Sequence, residues 1–250
     1  LGEITVDELS PEAVEHLHRD ITNRGAPIRA NRAHSSLRKA LNQAIRWGWT
    51  DRNPANGLRR NPEQPRSRYA STDEINRLWE ALAELNSKNA VDAISLLLLT
   101  GARKSEVLSA RWEDIDMETG TWVKPASTTK QRRLHQIPLS SEAVEIFRRR
   151  HSQRDVSPWV FPAATGDGHI IDIKKSWKQI CELAKLDNFR IHDLRHSFAS
   201  RVISATGSLY VTGQLLGHSQ VQSTSRYAHL LDAPLRKALG QATGTLTRRY

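Results

Sequence analysis

One cysteine, Cys181, and one methionine, Met117, stand in 250 residues, and aromatic side chains make up only 6% of them. A lone thiol excludes an internal disulfide framework. Long apolar runs are missing too. The best stretch, Ala93 to Leu99, is broken by Ser95 and is far shorter than the roughly 20 residues that span a bilayer. The first residues show no signal-peptide pattern, so the expected location is the cytosol. Acidic residues are in deficit: 27 Asp and Glu face 37 Lys and Arg, a net charge of +10. Such a balance favours a polyanionic partner, nucleic acid before others, over an ordinary basic housekeeping protein. The chain starts at Leu1 and has Met117 as its sole methionine. The expectation is therefore a fragment of something longer. Neither an internal repeat nor a low-complexity tract is visible.

What is present reads as mainly helical. Ser10-Pro11-Glu12 opens a helix with Val14, Leu17 and Ile21 on one face, ended at Gly25-Ala26-Pro27. A second helix is predicted from about Ile28 to Trp47 on the stripe Leu37, Leu41 and Ile45. Between Arg24 and Arg68 there are eleven basic residues and only two acids, Asp51 and Glu63. Arg32, Arg38, Lys39, Arg66 and Arg68 are candidates for contacts with a nucleic-acid backbone; a solvated basic face is the plainer alternative. The prolines and arginines of residues 59–70 lack apolar periodicity and suggest an extended linker. Two domains are expected, 1–65 and 66–250. In the second, Ser71 and Glu74 form a capping box. Helices are predicted at about 71–85, 91–99, 104–110, 141–149, 172–184, 192–203, 209–216 and 219–231. Three short strands are predicted at 112–116, 120–123 and 134–138. The fold class is mainly α with a small antiparallel β-sheet, an α+β layout.

Four short motifs could carry chemistry. Thr100-Gly101-Ala102-Arg103 frees the backbone at a helix end, so that Arg103 projects into a pocket, with Glu106 placed to brace a neighbour. His192-Asp193-Leu194-Arg195-His196 sets His192 and Arg195 on one face of a helix start, where anions are favoured. His192 and His196 also have the spacing of a zinc pair, but no third ligand at usable spacing accompanies them. Gly217-His218 is followed nine residues after the histidine by Tyr227. Thr128-Thr129-Lys130-Gln131 forms a polar tip between two strands. Singly, each has a plain structural reading. Together they match what phosphodiester transesterification needs without metal or another cofactor. Guanidinium groups bind the extra charge on the phosphoryl oxygens of the transition state. A lysine can protonate a leaving oxygen and a histidine can move the proton of a phenol. A tyrosine can conserve the bond energy as a covalent ester.

These motifs, together with the Asn53-Pro54-Ala55 turn and Arg111-Trp112-x-Asp114-Ile115, resemble the tyrosine recombinases, the phage-integrase family. The resemblance covers essentially the whole chain. It implies a helical core-binding domain, lacking its first part, followed by the catalytic domain. It implies that Arg103 and Arg195 hold the scissile phosphate, with Lys130 as general acid and Lys124 a nearby alternative. His192 would be the acid/base partner of the tyrosine, His218 would bond a non-bridging oxygen, and Tyr227 would attack to give a 3′-phosphotyrosine. The implied function is a site-specific recombinase, an integrase of a phage or genomic island, working on DNA in the bacterial cytosol. Implied partners are double-stranded DNA attachment sites, further copies in a tetramer on two sites, and accessory DNA-bending or directionality factors. The tail from Pro234 would dock on a neighbouring protomer. Alternatives are a type IB-like topoisomerase and a DNA-binding regulator without catalysis.

Overall fold

Ser10 starts the first helix with its hydroxyl accepting from the Ala13 amide at 3.2 Å, and Pro11 occupies the first helical position, where no amide is needed. The computed structural model describes residues 4–64, 66, 68–125, 134–154, 156–218 and 222–244, without the side chains of residues 222, 233 and 244. It divides into two compact units, Leu1–Arg66 and Ser67–Tyr250.

The first unit pairs α1 (Pro11–Asn23) with α2 (Pro27–Arg46) over a small core of Leu9, Val14, Leu41 and Ala55. Its order also depends on buried polar groups. Asn31 Oδ1 pairs with His18 Nε2 at 2.9 Å, and Asn31 Nδ2 donates to the Asn61 carbonyl and to Glu63, each at 2.9 Å. His34 Nε2 sits 2.7 Å from the Ala55 carbonyl. These bonds fix how the extended segment past α2 lies against it.

In the second unit the capping box closes as the sequence predicts, Ser71 Oγ accepting from the Glu74 amide and Glu74 from the Ser71 amide, at 3.2 and 2.9 Å. It starts α3 (Thr72–Glu84); α4 (Lys88–Thr100) and α5 (Lys104–Leu108) follow. A sheet of β1 (Ile115–Asp116), β2 (Thr121–Lys124) and β3 (His135–Pro138) is antiparallel in the order β1-β2-β3. Then come α6 (Ser141–Ser152), α7 (Lys174–Leu183), α8 (Asp193–Thr206), α9 (Leu209–Leu216), α10 (Gln222–Ser225) and α11 (Asp232–Gly244). Leu78, Ile94, Leu96, Leu108, Trp122, Ile137, Phe147, Phe161, Ile180 and Leu194 are fully buried in one continuous core. A lesser cluster joins Ala199, Ile203, Leu216 and Tyr227.

Two predicted elements differ. Residues Trp112–Asp114 form a 3-10 turn and not strand, because Arg111 bridges to Trp159 and the Trp112 amide donates to the Pro158 carbonyl. The helix expected over 219–231 is broken. The described part has one turn, α10, and a 3-10 turn at Ala228–Leu230, with Tyr227 between them at φ −96° and ψ 1°. Burying the tyrosine ring against α8 and α9 outweighs weak local helix propensity in a Gln-Ser-Thr-Ser segment. The tail is helical as α11 and packs against α8 of its own chain.

Candidate active site

Gly101 ends α4 in a left-handed conformation, φ 61° and ψ 14°. A Cβ there would lie 2.4 Å from a Phe198 ring carbon and 2.9 Å from Leu216, so both conformation and space demand glycine. The turn brings Arg103 to the start of α5. There Glu106 receives the Arg103 amide at 3.0 Å through Oε2 and the Arg103 guanidinium at 2.6 Å through Oε1.

Lys124 comes to the same carboxylate from β2. Strand alternation turns Trp122 and Lys124 inward together, and Lys124 Nζ reaches Glu106 Oε2 at 2.5 Å while lying 4.5 Å above the Trp122 ring. Burial alone would raise the Glu106 pKa, but the Lys124 ammonium and the Arg103 donors bring it down to about 2. Desolvation moves Lys124 the other way, to about 8, against the pull of Glu106. The carboxylate is thus a fixed anion that holds two cations in place.

Arg195, one turn into α8 and 4% exposed, is fixed by backbone rather than by a carboxylate. Nη1 donates to the Gly101 carbonyl and Nη2 to the Leu216 carbonyl, both at 2.7 Å. These acceptors are helix-end carbonyls of α4 and α9, which need donors. Desolvation, with Arg103 nearby, lowers its pKa to about 10, so it stays charged at neutral pH. Gly217 closes α9 in the left-handed region, and a Cβ there would meet the His135 ring at 2.6 Å. His135, paired with Lys124 in the sheet register, fixes this corner through Nε2 at 2.7 Å from the Gln214 carbonyl.

His218 follows directly, its Nδ1 at 2.8 Å from the Thr224 hydroxyl. Desolvation and the charges of Arg195 and Arg103 depress its pKa to about 4. Tyr227 is 5% exposed, and its hydroxyl lies 2.5 Å from His196 Nδ1. Burial raises the phenol pKa. His192 stands exposed at the start of α8, its ring 5.2 Å from that of His196 in an edge-to-face arrangement. Desolvation and the Arg195 charge lower its pKa.

Arg103, His192, Arg195, His218 and Tyr227 therefore meet around the ends of α4, α8 and α9, though 124 residues separate the first from the last. Lys130 lies outside the described residues. Of the basic candidates, Arg32 is exposed and paired with Glu63 at 2.9 Å; Arg38 and Lys39 are exposed on α2; Arg66 is half-buried. Arg68 forks onto Glu74 and covers the Phe189 ring. His196, His135 and Thr224 carry no role in the sequence motifs. For His196 a signal exists: it stands one turn after His192, a spacing that also suits a metal pair. Among the described residues no group of three or more His, Cys, Asp or Glu side chains is arranged to hold a metal ion. Nor is any helix there long and apolar enough to cross a membrane.

Comparison with known proteins points one way. Residues 68–233 match the model of the phage integrase family. The tyrosine recombinase XerC of Xanthomonas axonopodis pv. citri is 31% identical over 206 residues, 78% of this chain and 65% of the relative. The integrase of Salmonella phage P22 is 26% identical over 221 residues, covering 82% of this chain and 55% of that protein. The chain thus spans about two thirds or less of these relatives. Among solved structures, the Tn1549 transposon integrase in complex with a circular-intermediate DNA superposes with a TM-score of 0.72 at 18% identity, over 89% of this chain and 82% of that one. A lambda integrase dimer bound to a COC′ core site gives 0.68 at 18%, over 89% and 80%. At such identity these two speak for the fold; the matched family model, which spans every described residue of the site, decides kinship. The chain belongs to the phage integrase family of tyrosine recombinases.

Proposed function

We propose that this chain is a site-specific DNA recombinase of the integrase type, cutting and rejoining strands through a 3′-phosphotyrosine without metal or ATP. The observation that carries the reading is Arg195 locked on two helix-end carbonyls beside Arg103, with a buried tyrosine hydroxyl held on a neutral histidine. Two guanidinium groups already oriented need no rearrangement when a phosphate arrives, and such preorganisation is a large part of electrostatic catalysis. Arg103 and Arg195 bind the non-bridging oxygens and His218 bonds one of them. Tyr227 Oη attacks phosphorus, and the 5′-oxygen leaves with a proton from a lysine. Lys124 is taken up by Glu106, which leaves Lys130 as the proposed acid. His192, at the exposed side of the histidine pair, serves as the acid/base partner of the tyrosine by passing its proton to and from solvent.

The unit Leu1–Arg66 serves as a core-binding domain, with Arg32, Arg38 and Lys39 on the DNA backbone and Arg66 and Arg68 in the connection to the catalytic unit. The substrates are double-stranded attachment sites, brought together by a tetramer with accessory DNA-bending or directionality factors, in the bacterial cytosol. Strand exchange between two duplexes separates this reading from a type IB-like topoisomerase, which relaxes one duplex, and covalent capture separates it from an inactive regulator.

Nicked duplexes with randomised cores, which lose the short leaving strand and trap the cut state, test it. Covalent adducts with wild type and none with Tyr227→Phe, at undiminished DNA binding, are expected, and the recovered sequences define the core site. Equal capture by both proteins would refute the assignment.

A further inference from the structure

The mechanism above leaves the closest neighbour of the nucleophile without a task. His196 Nδ1 lies 2.5 Å from Tyr227 Oη, both residues are buried, and the two rings are 5.8 Å apart at 55°. No hydrogen bond from His192 to that hydroxyl exists among the described residues; His192 reaches the phenol only through the ring of His196. Resting on the recombinase reading, we propose that His196 is a further catalytic residue, whose Nδ1 orients the Tyr227 hydroxyl and accepts its proton as the phenol oxygen bonds to phosphorus.

The step balances. The Tyr227 Oη–P bond forms as the P–O5′ bond breaks. The phenol proton passes to His196 Nδ1, and the leaving oxygen takes a proton from the lysine acid. Religation runs the same transfers backwards.

Acidity favours the phenol as donor, because it is a stronger acid than the N–H of a neutral imidazole, which has one bare nitrogen to accept. The surroundings keep His196 in that state. His192, Asp193 and Arg195 face it from α8 and Arg226 from the tyrosine segment; desolvation and the three basic groups outweigh Asp193 and bring its pKa to about 4. The ring is thus never protonated in advance at neutral pH, yet it is too weak a base to ionise the buried phenol by itself. An entering phosphate offsets the charges of Arg195 and Arg226, strengthens the base and allows transfer only when there is phosphorus to attack. Burying the tyrosine behind this bond keeps it unreactive toward other electrophiles.

The experiment uses the whole chain and a nicked duplex recovered by covalent capture. His196→Phe should fold, bind the duplex like wild type and cut at least about 100-fold more slowly in a single turnover, the range of general-base contributions. His196→Asn keeps an acceptor near the Nδ1 position but cannot take a proton. Its rate should climb about tenfold per pH unit, as tyrosinate must then form beforehand, whereas the wild-type rate stays level above pH 6. Without DNA, nitrogen-15 spectra of wild type should show His196 with its proton on Nε2 and Nδ1 bare. His196→Phe or His196→Asn within threefold of wild type, a shared level pH profile, or a proton on Nδ1 would overturn the proposal while leaving the recombinase reading intact. Failure of wild type to form any adduct would overturn both.

Discussion

The two halves of the site are built differently. The arginine half rests on the main core. Arg195 is bonded to carbonyls from two helices, Arg103 and Lys124 share one buried carboxylate, and Gly101 admits no side chain. The tyrosine half rests on a small satellite cluster, a single-turn helix and two hydrogen bonds to histidines. Changing the first half should damage the whole unit, and changing the second should damage chemistry alone. A phosphate cradle gains from being rigid, because its charges must be in place before the substrate is. A nucleophile that must attack and later be displaced gains from a support that yields.

Experiments can press on that contrast, beginning where the largest effect is expected. Arg195→Ala removes two charge-assisted hydrogen bonds, each worth about 1.5–3 kcal/mol, from the free protein and the phosphate alike. Cleavage should fall about 10³-fold or more and the melting temperature should drop as well; an unchanged melting curve would deny the structural half of its role. Lys124→Met strands Glu106 beside Arg103 alone and should cost about 3 kcal/mol, the loss typical of a broken buried pair, measured by urea unfolding.

A pH experiment isolates Glu106. Its folded pKa lies below the usual 4.5, so the folded state holds the proton less tightly than the unfolded one. The stability it contributes is complete above about pH 4.5 and is lost as pH falls toward 2. Glu106→Gln should flatten that limb of the stability profile, and an equally steep acid limb in the variant would remove Glu106 from the account. Smallest in stability terms is Thr224→Val, which takes away the hydroxyl at His218 Nδ1. Unfolding free energy should change by about 1 kcal/mol or less, with cleavage slowed about tenfold. A loss of stability as large as that of Lys124→Met would erase the distinction between the halves.

Much of this was legible in the residues. Gly101, Gly217 and the Ser71–Glu74 box mark helix ends by local chemistry, and the helices and strands they bound follow from periodicity. The candidate set was legible as a pattern of residue types, since two arginines, histidines and a tyrosine suit one kind of reaction, and the fold brings the described ones together. What escaped depends on tertiary packing. The broken helix at Tyr227 is decided by a pocket made of Leu216 together with Ala199 and Ile203, the last two more than twenty residues away in sequence. His196 acquires its place only because that break turns the hydroxyl toward α8. Lys124 was half visible: alternation from the buried Trp122 turns it inward, and an inward lysine needs an anion, which is Glu106.

The central claim is that a buried tyrosine, and not an accessible one, is the nucleophile. The chain has four tyrosines, and Tyr210 on α9 is 75% exposed while Tyr227 is 5% exposed. Digesting the trapped protein–DNA adduct and locating the nucleotide-bearing peptide by mass spectrometry settles which one reacts. The account expects the 3′-phosphate on the peptide containing Tyr227; an adduct on Tyr69, Tyr210 or Tyr250 would contradict it.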